Sequence, residues 1–71
     1  MARGNRVEVR RDVYLWAIKE SRKDFGEIQN RFKKIETWIS GENHPTFRQV
    51  ESLANFLGVP LGYMFLDEPP R

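Results

Sequence analysis

Gly41 and Pro45 fall close together in the stretch I-E-T-W-I-S-G-E-N-H-P-T, residues 35–46, and leave the backbone few ways to run. Glycine accepts the left-handed conformation that closes a helix, and proline cannot continue one. The stretch therefore reads as the end of a short helix at Gly41, a polar loop, and a new helix starting after Pro45 at Thr46. Two helices meet here at a sharp angle. Trp38 is the large apolar anchor of the first, and because two helical turns do not hold themselves together in water, neighbours must fix this helix on both sides.

With 71 residues the chain forms one domain, near the lower limit for a core built without staples. It has no cysteine, which excludes a disulfide framework and a thiolate metal site. The arginine-rich start is followed by no apolar run, and no stretch approaches the ~18–20 apolar residues of a membrane span, so a soluble, cytoplasmic protein is expected. The net charge of +2 is small but unevenly spread. Arg3, Arg6, Arg10 and Arg11 crowd the start, Arg22, Lys23, Arg31, Lys33 and Lys34 crowd the middle, and Asp67 and Glu68 lie near the end. Such clustering points to a polyanion, and ordinary solvated helix faces account for it about equally well.

Residues 1–10 read as a flexible basic arm, with Val7 and Val9 able to dock it. From Arg11 the apolar positions Val13, Trp16 and Ala17, continued by the stem of Glu20 and widened by Tyr14, Leu15 and Ile18, follow a helical period that ends near Arg22. Asp24 and Glu27 have the spacing of a capping box opening a second helix to about Arg31, with Phe25, Ile28 and Phe32 inward. Gly26 costs that helix roughly 1 kcal/mol of propensity relative to alanine, so packing must carry it. A third helix is expected from Lys33 to Ser40, with Ile35, Trp38 and Ile39 inward and almost no room for a turn before it. Thr46 and Gln49 form a second capping box, followed by Val50, Leu53, Ala54 and Leu57, and Gly58 closes this fourth helix. Pro60 opens a fifth helix as its first residue, with Met64 and Phe65 in the core. Residues 11–66 are then the folded domain and 67–71 an exit linker, whose P-P-R ending looks like a cut from a longer protein. Trp16 and Trp38, both on helical apolar stripes, are assigned to the core.

With five short helices laid out, the run from Leu15 to Pro70 resembles the lambda-repressor-like helix-turn-helix domains of the Xre family. The resemblance rests on W-A-I-K-E, W-I-S-G-E-N-H-P-T and Q-V-E-S-L-A-N-F-L-G-V-P-L. The pattern D-F-G-E-I-Q-N-R-F-K-K-I-E-T-W-I-S-G-E and the ending P-L-G-Y-M-F-L-D-E-P-P are similar to the branch that precedes an ImmA/IrrE-type zinc metallopeptidase domain. The resemblance implies an all-α, compact five-helix lambda-repressor-like DNA-binding domain that acts as a transcriptional regulator or antitoxin-like module. Its implied partners are double-stranded DNA, a second copy in a homodimer, and a C-terminal peptidase domain in the parent protein. By matching positions, Lys33, Lys34, Glu36 and Thr37 face bases or backbone, and Asn43, His44, Thr46 and Arg48 contact phosphates.

Three positions depart from the family pattern. Gln29 stands where a small residue is usual, the connection between the second and third helices is short, and the third helix carries lysines and a glutamate where Gln, Ser and Asn commonly read base edges. They motivate an alternative: a protein-interaction module with a helix-turn-helix fold, serving a C-terminal metallopeptidase without sequence-specific DNA binding. Neither reading makes this chain an enzyme or gives it a cofactor. There is no H-E-x-x-H, and the sole histidine, His44, lies in a polar loop where a surface role outweighs metal ligation.

Overall fold

Helix α1 (Arg11–Ser21) buries Val13, Tyr14 and Ala17 in the computed structural model, which describes residues 6–70. This stripe is rotated from the expected one. Leu15 is 46% exposed, and Trp16 is only half-buried, its ring 5.7 Å from that of Tyr63 at the rim of the core. The helix stops at Arg22, whose left-handed φ of 61° is uncommon for a residue with a side chain. Ser21 secures this turn: its hydroxyl donates to the Ile18 carbonyl at 2.6 Å and accepts the Lys23 N–H at 3.1 Å.

Helix α2 (Phe25–Arg31) is capped by the Asp24 carboxylate, which accepts the Gly26 N–H at 3.1 Å. Glu27 makes no reciprocal bond, so half of the expected box forms. Gly26 has a local reason to be glycine, since a Cβ there would meet the capping Oδ2 at 2.9 Å. Ile28 faces the core and Gln29 is half-buried.

Helix α3 (Ile35–Ser40) starts later than expected. Lys33 and Lys34 belong to the preceding turn, which the Ile35 N–H closes on the Phe32 carbonyl at 3.0 Å. The connection Phe32–Lys33–Lys34 thus has three residues, within the 3–4 usual between the helices of a helix-turn-helix. The lack of room inferred from sequence came from beginning α3 too early. Ile35 and Trp38 are buried, Ile39 packs against the core edge, and Gly41 ends the helix at φ 88°. Nothing lies within 4 Å of where a Gly41 Cβ would be, so the backbone angle alone calls for glycine.

Helix α4 (Phe47–Leu57) has the complete capping box expected of it and buries Val50, Leu53, Ala54 and Leu57. Gly58 closes it at φ 77°. The expected fifth helix is a 3₁₀ turn, Leu61–Phe65, and Pro60 precedes it as an extended cap rather than as its first residue. Three residues per turn set Leu61 and Met64 above one another, and both face inward. Phe65 rotates away and is 42% exposed, which corrects its assignment to the core.

The fold is all-α: four α-helices and one 3₁₀ turn, with no strand among the described residues. Helix α1 lies at its centre, against α3, α4 and the 3₁₀ turn, and α2 packs on α3. The flexible arm expected for residues 1–10 does not hold for residues 6–10. The Val7 N–H donates to the Pro45 carbonyl at 2.8 Å, Arg6 bridges to Thr46, and Val9 enters the core. Val7 and Val9 therefore do dock this segment, and residues 1–5 lie outside the described part.

Tyr14 is 1% exposed and its hydroxyl is buried with no hydrogen-bond partner among the described residues. Burial pushes its ionisation well above the ordinary 10.0. Because the folded state resists deprotonation, stability is intact below about pH 10 and falls as pH rises beyond it. Tyr14→Phe is expected to be neutral or to stabilise by about 1 kcal/mol in urea denaturation, and to reduce the alkaline loss. A loss above about 1 kcal/mol would show that the hydroxyl is satisfied.

Candidate nucleic-acid interface

The lysines of the α2–α3 turn are displayed because the residue before them is held inward. Phe32 packs against the core, its ring 6.2 Å from that of Trp38 and 5.7 Å, edge-on, from that of Phe56. Anchored there, the turn leaves Lys33 and Lys34 exposed just before the first residue of α3. Glu36 follows on the exposed face, while Thr37 is half-buried and its hydroxyl donates to the Lys34 carbonyl at 2.7 Å. That bond stiffens the start of α3 and occupies the one proton Thr37 could offer to a base edge.

The loop after α3 is tied back to it. The Asn43 N–H donates to the Thr37 carbonyl at 3.1 Å, and Ser40 Oγ donates to the same carbonyl at 3.2 Å while accepting the Glu42 N–H at 3.3 Å. Asn43 and His44 keep exposed side chains, and Pro45 is fully buried beneath them. Thr46 is committed locally: its Oγ1 accepts the Gln49 N–H at 3.2 Å and its own N–H donates to Gln49 Oε1 at 2.8 Å. Arg48, in the first turn of α4, is exposed. The residues singled out from the sequence thus form two groups, turn-plus-α3 and loop-plus-α4, held in register by the Asn43–Thr37 bond.

Sequence reasoning missed Arg6, whose guanidinium donates to the His44 carbonyl at 2.9 Å and so buttresses the loop. The two residues are 38 positions apart, and only the valines beside Arg6 hinted that this segment docks. Among the described residues the one ion pair is Arg10–Asp67 at 3.9 Å, both well exposed, so no carboxylate neutralises Lys33, Lys34 or Arg48 at contact range. No cavity is present, and no group of three or more His, Asp or Glu comes together to hold a metal, among the described residues. Charge and shape on the surface are what this region offers.

Comparison with known proteins finds no family model, no curated sequence and no solved structure that matches this chain. No helix among the described residues is long and apolar enough to cross a membrane.

Proposed function

We propose that this chain is a helix-turn-helix module of the lambda-repressor-like, Xre type that binds double-stranded DNA as a transcriptional regulator. The observation that carries this reading is the three-residue turn between α2 and α3, which exposes Lys33 and Lys34 at the start of a short helix whose other face is buried. A two-turn helix fits the major groove, and lysines before it suit phosphate contact, with Arg48, Asn43 and His44 on the adjoining loop and α4 as further backbone contacts. Thr46 supports this surface as a cap, and Thr37 does so as a brace for α3.

Fluorescence anisotropy of a labelled duplex from upstream of the parent gene, titrated at low and moderate salt beside a scrambled duplex, tests the reading. Affinity that falls steeply with salt and prefers the native duplex is expected. A flat salt response, or no binding, would remove it.

A second reading, a protein-interaction module serving a following peptidase domain, is favoured by one feature. Phe47 and Phe65 stack in parallel on the surface, centroids 5.9 Å apart, 47% and 42% exposed, with Leu66 also exposed. An aromatic pair open to solvent is a common component of a protein contact.

A further inference from the structure

Two cations converge on one aromatic ring beside the α2–α3 turn. Lys23 Nζ lies 4.9 Å and Arg31 Cζ 5.5 Å from the centroid of Phe56, so the two charges are no more than about 10 Å apart, roughly one Debye length at 0.1 M salt. Both are attracted to the electron-rich faces of the same ring. Neither makes an ion pair among the described residues: Glu27 stands one helical turn before Arg31, at the spacing that favours pairing, yet Arg31 lies over the ring instead, and Asp24 next to Lys23 caps α2.

The backbone beneath both cations is fixed. Lys23 donates its N–H to the Ser21 hydroxyl in the left-handed turn at Arg22, and Arg31 is the last residue of α2. The platform is fixed as well, since Phe56 on α4 meets the edge of Phe32, the residue immediately before Lys33. The pair thus borders the lysine turn, whereas Arg48 sits at the opposite end of α4.

We propose that Lys23 and Arg31, held on Phe56, form a second phosphate-backbone contact that extends the lysine turn and binds duplex DNA without regard to sequence; the proposal rests on the DNA-binding reading above. A duplex presents one phosphate per strand for every ~3.4 Å of helix axis, so a strand that contacts Lys33 and Lys34 offers neighbouring phosphates to a pair that borders the same turn. An anion there is attracted by both cations, and each side chain already has a partner in the ring that limits its motion before binding.

The test compares wild type, Lys23→Gln/Arg31→Gln and, as a control for an exposed cation elsewhere, Lys19→Gln, by anisotropy on native and scrambled duplexes over a range of salt. The double variant is expected to reduce the slope of log K against log salt by about 1.8, about 0.9 for each lost phosphate contact, equally on both duplexes, with the control unchanged. A folded double variant that keeps the wild-type slope overturns this proposal and leaves the DNA-binding reading standing. A wild type that binds neither duplex overturns both, and one that binds poly-glutamate through Lys23 and Arg31 but no duplex replaces DNA with an acidic protein partner. Should circular dichroism show the glutamine variant unfolded, Lys23→Met/Arg31→Met keeps the apolar stems over the ring and carries the same comparison.

Discussion

Trp38→Ala is expected to lose about 3–5 kcal/mol of stability and to leave the chain largely unfolded. Trp38 is 5% exposed, sits in a helix of two turns, and gives α3 its contact with Phe32. A chain of this length has about 4–10 kcal/mol of stability in all, so the loss is comparable with the whole. Circular dichroism and urea denaturation would show a collapsed transition. Leu15→Ala, at a position 46% exposed on α1, serves as the control and should change stability by no more than about 0.5 kcal/mol. A Trp38 variant within about 1 kcal/mol of wild type would mean that the tryptophan does not anchor α3.

The double charge reversal Lys33→Glu/Lys34→Glu should act on binding and spare the fold. Both side chains are exposed and neither takes part in an ion pair among the described residues, so the urea midpoint should hardly move. Duplex affinity should fall on the order of 100-fold, two tenfold steps of about 1.4 kcal/mol each, and its salt dependence should flatten. Equal loss on native and scrambled duplexes would assign the lysines to backbone contact, and greater loss on the native duplex would assign at least one to base reading. Unchanged affinity would separate DNA binding from this turn, and the exposed Phe47–Phe65 stack would become the surface to follow.

Much of the local structure was legible because its causes are local. The Thr46–Gln49 box, the Asp24 cap and the glycine stops at Gly41 and Gly58 each involve a few consecutive residues, and a side chain or a free Cα position decides them. The strong repeat from Val50 to Leu57 was read correctly for the same reason. Misreadings arose where two adjacent periods competed. In α1, apolar residues surround much of the helix, and the pattern alone favoured Trp16 over Tyr14 as a fully buried residue. At the end of the chain, the α period placed Phe65 in the core, while the tighter 3₁₀ turn buried Met64 and left Phe65 on the surface. The lysines of the candidate interface were found from sequence, but the turn that displays them was misplaced, because the start of α3 has no side-chain cap to announce it.

By itself, then, the sequence determined an all-α chain with helix ends set by Asp24, Gly41, Thr46 and Gly58, and a basic middle segment available to a polyanion. Tertiary structure decided which face of α1 is buried, that Val7 and Val9 dock the start of the described chain near Pro45, and that Arg6 reaches the His44 carbonyl. It also decided that Lys23 and Arg31 meet over Phe56. The physical reason is range. A cap is satisfied within one helical turn, whereas a docked terminal segment or a shared aromatic platform exists only once the core has brought distant residues together.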